Sequence, residues 1–149
     1  MCKIFNKIIE KLYLRQPGNL AYYDDMTGVA NRQYYNRVMK TKYLRSGYYV
    51  YYIDIDNIKE LNDTYGHAVG SEKIKDVANE LKNTSDFIEI ARIGGDEFIA
   101  LSKSNVDISI ADTSIGVVHK EPWEDLSSCV HRADYAMYKE KEKHHNTTE

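Results

Sequence analysis

Two adjacent glycines place the first constraint on this chain. Gly94 and Gly95 stand between two β-prone runs, Phe87 to Ile93 and Phe98 to Leu101. That arrangement predicts a hairpin, because a tight two-residue turn demands positive φ and glycine adopts it without steric cost. Tyr48 to Ile55 is a near-continuous apolar run and reads as a buried central strand. Helical spacing surrounds these strands. Asn31 to Lys42 puts Tyr34, Tyr35, Val38 and Met39 on one side, and Asn57 to Tyr65 reads as a short helix closed by Gly66. Ser71 to Leu81 carries Ile74, Val77, Ala78 and Leu81 at i, i+3, i+4, i+7. Trp123 to Lys141 turns Leu126, Val130, Ala133, Met137 and Tyr138 inward, and Val106 to Val118 alternates as a strand does. The fold expected is α/β (α+β), with a central antiparallel-containing sheet flanked by helices.

Residues 1–20 read as an amphipathic helix and linker, with Ile4, Phe5, Ile8, Ile9 and Leu12 on one face. This helix either packs on its own domain or serves as a dimer or partner contact. Residues 21–145 form the compact domain and 146–149 a disordered tail. The formal net charge is −3, so no nucleic-acid partner is expected. The longest uncharged apolar stretch, Tyr48 to Ile53, is far too short to span a membrane, and none is expected as a partner. The two cysteines, Cys2 and Cys129, make neither a disulfide framework nor a zinc site. Without a signal peptide in the pattern, a cytoplasmic location is expected.

The chemistry lies in the acids. Asp54 and Asp56 flank Ile55 at the end of the buried strand, and alternation puts both carboxylates on one side. Asp96 and Glu97 follow the glycine pair. A hairpin beside the strand gathers up to four carboxylates, which cannot all ionise freely without a counter-charge. Magnesium supplies one, since it prefers oxygen and takes one or two carboxylates along with phosphates. The plainer reading is that Asp54 and Asp56 are ordinary strand-end acids.

Gly94-Gly95-Asp96-Glu97-Phe98 is the signature string of the GGDEF diguanylate cyclase family, and four more stretches resemble that family in order. They are Asp24-x-Met26-Thr27-Gly28-Val29-x-Asn31-Arg32; Asp54-Ile55-Asp56-x-x-Lys59-x-x-Asn62-Asp63 with Gly66-His67-x-x-Gly70; Ser114-Ile115-Gly116; and Arg132-Ala133-Asp134-x-Ala136-Met137-Tyr138-x-x-Lys141. The resemblance implies a palm-like fold related to nucleotide cyclases. It implies that two nucleoside triphosphates, GTP by default, condense into a cyclic dinucleotide such as cyclic di-GMP across a homodimer, releasing pyrophosphate. Asp54 and Glu97 would hold Mg2+ (or Mn2+ in its place), helped by the Ile55 carbonyl. Asp96 would assist the metal or take the 3′-hydroxyl proton, making Asp96, Glu97 and Lys59 the catalytic set. Gly94 and Gly95 would let the backbone approach the nucleotide. The N–H groups of Asn57 and Ile58 would meet phosphate, Lys59 and Lys141 would neutralise it, and Asn62 would read the base. Arg92 would support the hairpin or a phosphate. For Lys141 the alternative is a solvated charge within the Lys139–Lys143 run.

Four departures from the family pattern follow. Ser71 stands where the family has a guanine-reading Asp, resembling a subgroup that makes mixed cyclic GMP-AMP, so ATP joins GTP as a candidate substrate. The plainer role of Ser71 is to cap the helix ending at Leu81. No Arg precedes Asp86 by three, so feedback inhibition of the R-x-x-D type is not expected. The stretch between Phe98 and Ser114 is too short for the family's crossing helix, which is missing or much shortened, leaving one sheet face for the N-terminal helix or a second subunit to cover. His145 replaces an arginine that would meet phosphate, and a neutral imidazole does so weakly. The chain is expected to be a free-standing enzyme. The alternatives are a catalytically inactive GGDEF domain that binds nucleotide or a protein, and a relative that uses the same palm to make another cyclic nucleotide.

Overall fold

The computed structural model describes residues 22–146 except 44 and 46. The helix expected over residues 1–14 lies outside them, as do residues 147–149. In chain order the elements are strand β1 (Ala30–Asn31), helix α1 (residues 32–42), strand β2 (Tyr48–Ile55), helices α2 (Ile58–Tyr65) and α3 (His67–Asn83), strands β3 (Phe87–Arg92), β4 (Glu97–Ser102) and β5 (Thr113–Lys120), and helix α4 (Leu126–Asn146). The strands make one sheet in the order β1-β3-β4-β2-β5. The β1–β3 pair is parallel and the other pairs are antiparallel. Among the described residues no helix is long and apolar enough to cross a membrane.

The sheet is covered on both faces, which explains the unbroken apolar run of β2. Val50 and Tyr52 point into a core shared with Tyr34, Tyr35 and Met39 of α1 and with Leu126, Val130 and Ala133 of α4. Tyr51, Ile53 and Ile55 point the other way, onto Ile74, Val77, Ala78 and Leu81 of α3. The period of two therefore assigns even-numbered β2 residues to the α4 face. Asp54 belongs to that face.

The hairpin forms where the glycines predict it, but not as a tight two-residue turn. Residues 93–96 link β3 to β4, and the N–H of Ile93 donates to the Glu97 carbonyl at 2.9 Å. Among the described residues the glycines with positive φ are Gly28 and Gly66, so neither Gly94 nor Gly95 uses that freedom. At position 94 the need is space: a Cβ there would overlap the Glu97 carboxylate.

Three further expectations shift. Tyr138, expected to turn inward with Met137, is exposed on α4. Helix α3 begins at His67, not Ser71, because Ala68 and Val69 of its first turn are exposed and do not join the buried period of Ile74, Val77, Ala78 and Leu81. The strand expected from Val106 begins only at Thr113. The alternation of Val106, Ile108 and Ile110 reports one buried side, and that side lies on the sheet face as a strap rather than in a ladder. Tyr51 pins the strap: its hydroxyl accepts from the Val106 N–H at 2.6 Å and donates to the Val106 carbonyl at 3.2 Å. No helix lies between β4 and β5, as the sequence implies. Part of the face stays open, with a cavity of about 460 Å3 beside Tyr49, Ile115 and Val117.

Candidate active site

Antiparallel register assembles the acids. Pairing of β2 with β4 sets Asp54 opposite Glu97, and pairing of β2 with β5 sets Asp54 opposite Ser114. Tyr52, two residues before Asp54 on the same face, donates its hydroxyl to Glu97 Oε1 at 2.8 Å. Ser114 donates to Asp56 Oδ1 at 2.8 Å. The N–H of Ile55 donates to the Asp96 carbonyl at 3.0 Å, tying the hairpin link to the end of β2. Helix α4 then brings a cation. Lys141 donates to Asp54 Oδ1, and its Nζ stands 3.6 Å from Asp56 Oδ1. The helix comes this close because residue 116 is glycine: a Cβ there would overlap the backbone of Ala133 and Met137. Lys141 is thus an ion-pair partner of the acids, which removes the reading of it as a solvated charge.

This cluster carries more negative than positive charge, and its two paired members lie partly buried within it. Burial pushes the Asp54 carboxyl above its usual value; Lys141 opposes that while Asp96 and Glu97 add to it. Desolvation would lower the Lys141 ammonium, but its hydrogen bond to Asp54 and the charges of Asp54, Asp56 and Asp96 outweigh it and hold the ammonium up. The carboxylates of Asp54, Asp56, Asp96 and Glu97 outnumber the cationic groups that Lys141 and His144 bring, so the site is short of positive charge. Its donors are oxygens, which suits a hard divalent cation. No group of three acidic, His or Cys side chains among the described residues forms a finished metal cage. An ion that keeps water and phosphate as ligands does not need one.

The other candidates stand at the β2–α2 turn and beyond. Asn57 adopts φ 56° and leads into α2 without capping it through its side chain, so the first-turn N–H groups at and after Ile58 point outward without a side-chain acceptor. Ile58 also packs on the α3-side core, and Lys59 is exposed. Asn62 lies against Gly70 of α3, and its Oδ1 is buried with no hydrogen-bond partner among the described residues. Ser71 follows Gly70, inside a helix that Gly66 precedes, so Ser71 is not the cap of α3. Gly95 is exposed, with open space where a Cβ would point. The side chain of His145 lies outside the described residues. The structure therefore brings together Asp54, Asp56, Asp96, Glu97 and Lys141 at one end of the sheet, and Asn62 with Gly70 inside the first turns of α3, where Ser71 follows.

Comparison with known proteins decides the family. The sequence profile described as "Diguanylate cyclase, GGDEF domain" matches residues 21–112. The chain belongs to the GGDEF family. Diguanylate cyclase DgcP of Escherichia coli is 31% identical over 159 aligned positions, covering 86% of this chain and 46% of that protein. The probable diguanylate cyclase DgcT of the same species is 37% identical over 102, covering 66% of this chain and 21% of that one. The chain thus spans under half the length of these relatives. The coiled coil and GGDEF domain of DgcB from Caulobacter crescentus, solved in complex with c-di-GMP, superposes with a TM-score of 0.72 at 22% identity, covering 93% of this chain and 91% of that one. At that identity the likeness shows a shared fold.

Within this GGDEF domain the opening motif acquires a structural role. Asp24 accepts from the N–H and hydroxyl of Thr27 at 3.0 and 2.7 Å, and from Arg92. Arg92 also holds the Gly95 carbonyl, so of its two expected roles the structure displays the hairpin support. Sequence reasoning missed Tyr52 and His144. Tyr52 was open to discovery, because it sits two residues before Asp54 on a strand. His144 places Nδ1 3.7 Å from Asp56 Oδ2 and Nε2 3.4 Å from Glu140 Oε1, and only the docked helix reveals it. A cavity of about 790 Å3 adjoins the site at Asp56, Asn57 and His144. It includes none of Asn62, Ser71, Gly94 or Glu97, so it neighbours the candidate site without being it.

Proposed function

We propose that this chain is a nucleotidyl cyclase. It condenses two nucleoside triphosphates, GTP or GTP with ATP, into a 3′,3′-cyclic dinucleotide such as cyclic di-GMP. Each 3′-hydroxyl attacks the α-phosphorus of the other nucleotide; a P–O bond forms, the bond to the β-phosphate breaks, and pyrophosphate leaves. Two copies of the chain, each holding one nucleotide, meet across a two-fold axis. The observation that carries this reading is the register that opposes Asp54 and Glu97 in a cluster short of positive charge.

Asp54 and Glu97, with the Ile55 carbonyl, would hold Mg2+, or Mn2+ in its place. That ion, when bound, supplies charge neutralisation for the triphosphate and for the departing pyrophosphate. Tyr52 keeps Glu97 turned toward Asp54. Asp96 stands ready to assist the metal or accept the 3′-hydroxyl proton. The N–H groups of Asn57 and Ile58, at the start of α2, would meet phosphate oxygens; Lys59 and Lys141 would neutralise phosphate, and His145 would do so weakly. Asn62 Oδ1, buried and unpaired, calls for a donor, and a base edge provides one. The Ser71 hydroxyl both donates and accepts, so it accommodates guanine or adenine where a carboxylate would select guanine.

The test is to incubate purified protein with Mg2+ and GTP, ATP or an equimolar mixture, and to weigh the products. Cyclic di-GMP alone makes Ser71 a tolerated substitution. A GMP-AMP product makes it the specificity determinant. No product at high protein concentration would overturn the cyclase reading and favour a domain that binds nucleotide without turning it over.

A further inference from the structure

We propose that Lys141 is an exchangeable counter-ion: its ammonium fills the acid cluster until a divalent cation arrives, and is then expelled toward the nucleotide. The inference rests on the reading of Asp54 as a cation ligand and adds what the metal-free protein does with that site. Lys141 donates to Asp54 Oδ1 and lies 3.6 Å from Asp56 Oδ1. A cation bound by Asp54 needs the same oxygen lone pairs and would stand within a few ångströms of an ammonium, so the two cannot share the position.

The surroundings make Lys141 displaceable rather than locked. Its backbone is fixed by the tight crossing of α4 over Gly116, but its side chain is four methylenes long and 29% exposed, so it has a way out without movement of the helix. Neighbouring lysines do not take its place. Lys139 pairs with Glu142 at 3.3 Å and Lys143 with Glu140 at 3.6 Å, both along the helix surface. His144 faces Asp56, leaving Asp54 to Lys141. The acids alone would repel one another across the β2–β4 register. Lys141 lets the sheet close without metal, and its release presents an ammonium at the moment the cation brings phosphate. One side chain thereby couples metal entry to phosphate capture.

The test uses Mn2+ alone, without nucleotide, titrated into the whole protein and followed by the electron-paramagnetic-resonance signal of the free ion. Lys141→Met is expected to bind Mn2+ about tenfold more tightly than the wild type, because a competing charge has been removed from a partly exposed site. The gain is expected to vanish when Asp54→Asn is added. A second measurement needs no variant: labelling of Lys141 by an amine-reactive reagent, mapped by peptide mass, should quicken in the wild type when Mn2+ is added while Lys139 and Lys143 keep their rates. Equal or weaker Mn2+ binding in Lys141→Met, or a labelling rate that ignores Mn2+, overturns the exchange and leaves the cation site standing. Mn2+ binding that is absent from both proteins, or indifferent to Asp54→Asn, overturns the cation-site reading and the exchange with it.

Discussion

Arg92 grips the carbonyl oxygen of Gly95 twice, through Nε at 3.2 Å and Nη2 at 2.6 Å, and so closes the hairpin link from its own strand. The remaining nitrogen, Nη1, reaches both carboxylate oxygens of Asp24 at 3.1 Å. One guanidinium therefore fastens the glycine link to the turn before β1. Arg92→Ala should destabilise the protein by about 2 kcal/mol in urea unfolding, as charge-assisted bonds of this kind do when one partner is removed. Combined with Asp24→Ala, the losses should fall short of additivity by about 1 kcal/mol. Strict additivity would mean that the pair does not act as a unit.

The same contact sets a pH dependence. Burial alone would raise the Asp24 carboxyl, but the Thr27 hydroxyl and Arg92 outweigh it and hold it below 3.8. Its pKa in the folded state lies below that in the unfolded chain. Its stabilising contribution is therefore complete above the ordinary carboxylate value and is lost as pH falls through the lowered one. Thermal unfolding measured from about pH 5 down to about pH 2 should show a shallower acid loss in Asp24→Asn than in the wild type. Equal slopes would remove Asp24 from the acid response.

Two glycine substitutions should part company. Gly116→Ala forces a Cβ into the backbone of α4 and should cost about 3 kcal/mol, the size expected of overpacking that moves a helix. Gly95→Ala meets open space and should stay within about 0.5 kcal/mol of the wild type. Guanidinium titrations of both variants would decide it.

Tyr52→Phe removes the donor that holds Glu97 and little else. Pyrophosphate release should fall about tenfold with the fold intact, the scale typical of losing a group that orients a ligand. A full rate in Tyr52→Phe would show that Glu97 needs no such support.

Asn62→Ala deletes a buried acceptor that has no partner among the described residues, so its stability should change by under about 1 kcal/mol. Affinity for nucleotide, read by calorimetry, should nevertheless drop at least about tenfold if the amide meets the base.

What could be read from residue order divides along physical lines. β2 was legible because both of its faces are buried, and α3 because Ile74, Val77, Ala78 and Leu81 keep one face. Asp54 and Asp56 followed from the period of a strand. The geometry of the 93–96 link was not legible, since two glycines signal either positive φ or crowding, and only the Glu97 carboxylate packed against Gly94 distinguishes them. The partner of Lys141 was hidden for a different reason. In a run where lysine and glutamate alternate, the docked helix alone decides which lysine turns inward, and that docking depends on the missing side chain at Gly116, across the sheet in β5.

The close crossing of α4 over Gly116 also has a meaning in time. A chain made from its N-terminus onward presents Asp54, Asp56, Asp96 and Glu97, and every strand that carries them, before Lys141 has been added. Until α4 lies down across β5, the nascent sheet holds four carboxylates at one end and none of the charge that this helix brings to them. The last helix is therefore the step of biogenesis at which the acid end of the sheet comes closest to electrical balance, and a substitution that delays its docking would leave a half-made protein that repels itself at that end.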